Sequence, residues 1–248
     1  MDKVMLITGA SRGIGAATAR LAAQRGYRLL LNYRSRADLA ARLVEEIAAA
    51  GGQAEAVQAD IADEAEVLRL FEALDRRHGR LDVLVNNAGM LEKQMRVEQM
   101  DAARLQRVLA TNLIGTFLCC REAVKRMSTR HGGRGGAIVN LSSMAARLGA
   151  PDEYVDYAAA KGAVDSLTLG LAREVADEGI RVNAVRPGLI DTEIHASGGE
   201  PGRIQRLQGS VPLRRGGTPE EVAEAILWLA SEQSSYCTGS FIDVSGGR

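Results

Sequence analysis

No charge of either sign dominates this chain: lysine plus arginine and aspartate plus glutamate number 31 each. No net field therefore draws it to nucleic acid or to an anionic membrane surface. No window reaches the ~18 continuous apolar residues that a membrane-spanning helix needs. Met1-Asp2-Lys3 leads straight into an apolar run, so no signal peptide is expected. Cysteine is scarce: Cys119, Cys120 and Cys237 have spacings that fit neither a metal site nor a disulfide framework. A reducing cytoplasm is the expected setting, with thiols as packing residues. No Pro-rich or Gly/Ser-rich linker and no repeat divides the 248 residues, so one domain is expected.

What is present alternates between strand and helix. Strand-like runs fall at Val4–Ile7, Leu29–Asn32, Ala54–Gln58, Val83–Asn86, Ala137–Leu141, Val182–Arg186 and Phe241–Val244. The first six precede helical stretches that start near Gly13, Ala37, Glu64, Asp101, Tyr157 and Pro219. The strands read as nearly continuous apolar runs, as expected when helices cover both sheet faces. Helical spacing shows in Leu105, Val108, Leu109, Leu113 and Phe117. The pattern predicts an α/β fold, a doubly wound parallel sheet of about seven strands (Rossmann-like) in a single domain. Thr192–Thr218 is the longest irregular stretch, and a loop of that length suggests a substrate lid.

Thr8-Gly9-Ala10-Ser11-Arg12-Gly13-Ile14-Gly15 follows the first strand and opens the first helix. Gly9 permits a tight exit from the strand. Gly13 and Gly15 remove side chains where a pyrophosphate approaches backbone N–H groups and where helix packs on strand. The second strand ends Leu31-Asn32-Tyr33-Arg34-Ser35-Arg36, with no carboxylate until Asp38 to accept from an adenosine ribose. Arg34, with Arg12 converging from the glycine turn, suits a 2′-phosphate, so NADP is expected over NAD. The plainer alternative is that Arg34 and Arg36 are solvated surface charges.

Tyr157 and Lys161 stand four residues apart and share a helix face. A nearby ammonium is expected to lower the phenol pKa from its ordinary value of about 10 toward a useful range. Ser143, just past a strand end, is placed to hydrogen-bond the same substrate oxygen. Alone, each feature would be a surface pair and a loop serine; after a strand whose carboxyl end borders a cofactor crevice, they read as an acid–base site.

These motifs together resemble the compact branch of the short-chain dehydrogenase/reductase family over essentially the whole chain. The resemblance rests on T-G-x-x-x-G-x-G at Thr8–Gly15, N-N-A-G at Asn86–Gly89, Asn112, and Ser142-Ser143. It continues through Y-x-x-x-K at Tyr157–Lys161, R-V-N-x-V-x-P-G at Arg181–Gly188, Thr192, and the tail from Thr238-Gly239-Ser240 to Gly246-Gly247. It implies an oxidoreductase that interconverts a ketone or aldehyde and an alcohol, with a small-molecule substrate and a homotetrameric assembly. By the same resemblance Tyr157 would be the general acid or base, and Lys161 would lower its pKa and hold the nicotinamide ribose. Ser143 would polarise the substrate oxygen, and Asn112 would help place a water relaying protons to Lys161. Asp60 and Ile61 would bracket the adenine, and Asn87, Ala88 and Gly89 would line the adenosine ribose. Pro187, Gly188, Ile190 and Thr192 would embrace the nicotinamide. The end of the second strand resembles NADP-using members, though some relatives accept both cofactors.

One departure is a single extra residue between Ser143 and Tyr157, within Ala150–Asp156. Tyr154 is a rival phenol there, but its partner four residues on is Ala158. Met90, Leu91, Met144 and Leu189 suggest an apolar substrate surface, whereas Glu153, Arg203 and Arg206 offer polar or charged contacts. His195 is expected as a solvated loop residue, and Trp228 as core or subunit interface. Two other functions stay open: a cofactor-binding redox sensor without turnover, and a scaffold that borrowed the fold.

Overall fold

The computed structural model describes residues 3–248. Seven strands form one parallel sheet: β1 (Val4–Ile7), β2 (Arg28–Tyr33), β3 (Gln53–Gln58), β4 (Val83–Asn86), β5 (Gly136–Leu141), β6 (Ile180–Pro187) and β7 (Phe241–Val244). Their spatial order is β3-β2-β1-β4-β5-β6-β7. The helices are α1 (Gly13–Gln24), α2 (Ala37–Ala49), α3 (Glu64–His78), α4 (Ala102–Leu109), α5 (Gly115–Met127), α6 (Ala145–Leu148), α7 (Val155–Glu174), α8 (Ile194–Ser197), α9 (Arg203–Leu207) and α10 (Pro219–Ala230).

Successive strand residues face opposite sides of a sheet, so each central strand feeds two cores. Met5, Ile7, Leu29, Leu31, Val83 and Val85 pack with Ala19 of α1, Leu43 of α2 and Ile226 of α10. Leu6, Leu30, Leu84, Ile138 and Val182 pack against Leu70 and Phe71 of α3, Cys119 and Ala123 of α5, and Ala172 of α7. This two-sided burial is why β1, β2 and β4 read as unbroken apolar runs. β3 departs from that expectation: Gln53, Glu55 and Gln58 are exposed, because it is an edge strand. Burial pushes the thiols of Cys119 and Cys120 well above their ordinary pKa; Cys119 packs in the core, while Cys120 Sγ also accepts from Asn86 Nδ2 at 3.2 Å.

Strand order reverses between β1 and β4, the place where open α/β sheets form a ligand crevice beyond their carboxyl ends. The turn after β1, the Asn86–Gly89 segment after β4 and the turns after β5 and β6 all open onto it. Two helices start slightly away from the sequence expectation: Asp101 caps α4 from outside, and α7 begins at Val155, ahead of Tyr157. The stretch from Thr192 to Thr218 holds α8, α9 and a 3-10 turn at Gln208–Ser210, so it is more ordered than its composition suggests.

Candidate active site

The crevice is one cleft of about 750 Å³. It gathers Gly9, Ser11, Arg12, Gly13, Ile14, Arg34, Ser35, Asp60, Ile61, Asn87, Ala88 and Gly89 with Ser143, Tyr157, Lys161, Pro187, Gly188, Ile190 and Thr192. Gly15 and Asn112 do not line it.

Gly9 leaves β1 at φ +61°, and a Cβ there would lie 2.8 Å from Ala88 Cα. Gly15 is buried instead: a Cβ would meet Asn87 Nδ2 at 2.5 Å and Gly9 O at 2.7 Å, so it serves close packing. The amide of Asn87 donates to Thr8 O (2.9 Å) and Gly9 O (3.0 Å), and Thr8 Oγ1 accepts from the backbone of Asn87 and Ala88. Asn32 Oδ1 accepts from Gly9 N at 3.2 Å while its Nδ2 donates to Ala59 O at 2.9 Å. Sequence reasoning gave Thr8 and Asn32 no part in shaping the turn; a lone amide inside an apolar strand was the available signal.

Asp63, Asp101 and Thr218 cap α3, α4 and α10 with their side chains. α1 has no side-chain cap and no acidic residue in its first turn. Its orphan N–H groups and positive dipole end therefore suit an anion held against the glycine turn. The residues present fit a dinucleotide pyrophosphate there.

Arg34 is 58% exposed and lies 3.9 Å from the Asp60 carboxylate, a loose contact at the rim. Arg36 is engaged by Asp38 through bonds of 2.9 and 2.7 Å. Arg12 reaches Ser197 Oγ of α8 at 3.4 Å, so in this arrangement it crosses the cleft rather than joining Arg34.

Tyr157 lies in the first turn of α7 and Lys161 one turn on, with Lys161 Nζ 5.6 Å from the phenol ring centre. Lys161 Nζ donates to Leu141 O at 2.7 Å. Burial lowers its pKa to about 8, opposed by the negative charge of Asp165. The Tyr157 phenol moves the other way from the sequence expectation. Burial pushes it up to about 12, against the opposing pull of the neighbouring Ser143 hydroxyl. Desolvation, which disfavours the phenolate, is the larger effect here. Asn112 sits in a π-turn (Ala110–Ile114) and is fully buried. Its side chain is committed to Met90 N, Met90 O and Val108 O at 2.9–3.0 Å, and its backbone carbonyl accepts from Thr116 Oγ1 at 3.3 Å.

Arg104 and Asp156 form a buried pair that sequence reasoning missed. Arg104 Nε lies 2.7 Å from Asp156 Oδ2, with side chains 4% and 1% exposed. Asp156 Oδ1 also accepts from Tyr157 N at 2.9 Å, so the pair fixes the start of α7 against α4. Tyr154 is buried and donates its hydroxyl to Gly198 O at 3.1 Å, which removes it as a rival phenol. His195 is buried rather than solvated: Nε2 bonds Ile190 O at 2.8 Å, and burial lowers its pKa. Trp228 is 37% exposed, so it is not core. No helix of the described residues is long and apolar enough to cross a membrane. Among those residues no group of three or more His, Cys, Asp or Glu could hold a metal ion.

The parallel sheet, the uncapped helix beside a glycine turn and the Ser143–Tyr157–Lys161 cluster define a dinucleotide-dependent oxidoreductase. A family model described as enoyl-(acyl carrier protein) reductase matches residues 9–248. The chain belongs to the short-chain dehydrogenase/reductase family, whose members use a nicotinamide cofactor. It is 58% identical over 245 residues to an uncharacterized oxidoreductase of Escherichia coli, covering 99% of each chain. It is 41% identical over 246 residues to 3beta-hydroxysteroid dehydrogenase 1 of Eggerthella lenta, covering 99% of this chain and 93% of the relative. A Staphylococcus aureus 3-oxoacyl-(acyl-carrier-protein) reductase is 39% identical over 247 residues, with 100% and 98% covered. A Serratia marcescens short-chain dehydrogenase/reductase double mutant superimposes with a TM-score of 0.91 at 33% identity, over 99% of this chain and 97% of that one.

Proposed function

We propose that the protein is an NADP(H)-dependent reductase of ketones or aldehydes, running in reverse as an alcohol dehydrogenase. The observation that carries this reading is that Ser143, Tyr157 and Lys161 line one cleft, with Lys161 Nζ 5.6 Å from the phenol ring centre, beside the glycine turn that opens α1. The relatives' names point the same way: one acts on a hydroxysteroid and another on a 3-oxoacyl group, so both handle a carbonyl/alcohol pair.

Gly9, Gly13 and the N-terminus of α1 would hold the pyrophosphate, Arg34 and Ser35 the 2′-phosphate, and Asp60 and Ile61 the adenine. Asn87, Ala88 and Gly89 would follow the adenosine ribose, and Pro187, Gly188, Ile190 and Thr192 the nicotinamide. The bound cofactor supplies the hydride that adds to the carbonyl carbon. Tyr157 gives its phenolic proton to the carbonyl oxygen, and Ser143 donates to that oxygen as charge develops on it. Lys161 stabilises the phenolate left behind. The Asn112 carbonyl, which keeps a second lone pair beside its bond from Thr116 Oγ1, would help place a water that relays protons to Lys161. The segment 192–218 acts as a lid: Thr192 lies beside Gly13, and Tyr154 ties down Gly198.

The chain assembles as a homotetramer in the cytoplasm on this reading. Leu105, Ile114 and Phe117 are 38%, 50% and 49% exposed and form an apolar stripe on α4, the π-turn and α5 suited to a partner subunit. The test of the reaction is optical: NADPH consumption against a panel of ketones and aldehydes, with NADH in parallel. NADPH-preferring turnover is the expected result, and its absence with every carbonyl would overturn the reading.

A further inference from the structure

Beyond the groups assigned to the cofactor, the apolar side chains lining the cleft include Met90, Leu91, Met144, Leu148, Leu189 and Leu207. Arg203 of α9 stands in the same lining and Arg206 lies one turn further on. Free guanidinium groups there would select a carboxylate or a phosphate. Neither is free. Arg203 Nη2 donates to Glu153 Oε2 at 2.5 Å and its Nη1 to Glu200 Oε2 at 3.3 Å. Arg206 Nη2 donates to Glu153 Oε1 and to Glu200 Oε2, both at 2.8 Å, and its Nε donates to Glu200 Oε1. Gln94 Nε2 adds a bond of 2.6 Å to Glu200.

Two guanidiniums thus face two carboxylates, and the local charge sums to zero. The Arg203 side chain is 11% exposed and lies over the Tyr154 ring, 5.2 Å from its centre, so its charge is shielded from solvent by the site itself. Three members of the cluster, Glu200, Arg203 and Arg206, belong to the segment 192–218. Glu153 alone comes from the loop ahead of α7, four residues before Tyr157, and it lines the cleft. Without its carboxylate the cluster would carry one uncompensated positive charge at the cleft wall. With it, an anion entering against the α9 wall meets no free guanidinium there and must displace Glu153 or stay unpaired beside it, which a buried site penalises.

We propose that Glu153 is a specificity-determining residue that neutralises Arg203 and Arg206 and so fits the cleft to uncharged, largely apolar carbonyl substrates rather than carboxylate- or phosphate-bearing ones. The inference rests on the carbonyl-reductase reading above.

The test compares kcat/KM for a cyclic ketone methyl ester and for its free acid, with the native enzyme, Glu153→Gln and Arg203→Gln. Native enzyme should favour the ester, and Glu153→Gln should narrow the ester-to-acid ratio by about tenfold or more by freeing a guanidinium. Arg203→Gln leaves net negative charge and should widen the ratio, so the two variants move it in opposite directions. NADPH binding by each variant reports a folded cofactor site, and the Arg203→Gln arm stands if Glu153→Gln does not fold. Equal native use of acid and ester, or a ratio that no folded variant moves in its stated direction, would overturn the specificity role while leaving the carbonyl reading intact. If the native enzyme turns over no ketone in a wider panel, the carbonyl reading falls and the specificity role with it.

Discussion

Tyr157 sits where an acid is useful and a base is expensive. Burial holds the phenol protonated up to about pH 12, which on the proposed reading equips it to give a proton to a carbonyl oxygen. The cost falls on the phenolate that remains, and the ammonium of Lys161 is the group in the cleft suited to offset it. Burial lowers the Lys161 pKa to about 8, so the ammonium is present below that pH and lost above it. Carbonyl reduction should therefore run at constant kcat/KM below about pH 8 and fall as the pH rises through it, while the phenol stays protonated. A pH–rate profile checks this, and a break on the acid side alone would contradict it. Arg34→Ala should weaken NADPH binding by about tenfold or more, the loss of a charge-assisted bond, and leave NADH binding nearly unchanged. Calorimetric titration with both cofactors measures it, and equal losses would show that Arg34 reads no phosphate.

Tyr157, Lys161 and Ser143 were legible as residues because their spacing is local: one helical turn, and one strand end. The direction of the Tyr157 shift was not, because desolvation depends on what tertiary packing places around the ring. The same holds for His195, whose loop address suggested solvent but whose ring is buried against Ile190 O.

At the scale of elements, the turn from β1 into α1 works through backbone approach. Gly15→Ala would drive a methyl group into Asn87 Nδ2 and Gly9 O, so it should destabilise the fold by about 1–3 kcal/mol, read as a lower thermal midpoint. NADPH affinity should drop with it, since Asn87 also holds Thr8 and Gly9 in place. The junction of α4 with α7 depends on Arg104. Arg104→Met leaves the Asp156 carboxylate buried and unpaired, a loss of about 3–5 kcal/mol in a denaturant titration. A change below about 1 kcal/mol would mean that Asp156 finds water instead. The sequence showed the strands to within two residues at each end, because apolar runs on a doubly covered sheet are continuous. It did not show this pair: Arg104 and Asp156 are 52 residues apart, and nothing local to either residue marks the other as its partner.

For the whole molecule, the sheet order and both cores follow from alternating strand and helix, and the ligand crevice follows from where that order reverses. Leu105 and Phe117 were visible in the helical periodicity and Ile114 was not, and periodicity alone does not separate a core face from one that meets another subunit. Sedimentation should show a tetramer for the native chain and a smaller species for Phe117→Glu; a native monomer would contradict the assembly.

The most direct measurement is NADPH oxidation during carbonyl reduction, followed optically for the native enzyme and for Tyr157→Phe. Turnover that prefers NADPH over NADH and drops by about 10²–10⁴-fold in the variant, with cofactor binding retained, is the expected result. A variant as fast as the native enzyme would contradict the role of Tyr157, and a native protein that binds neither cofactor would contradict the oxidoreductase reading at its base.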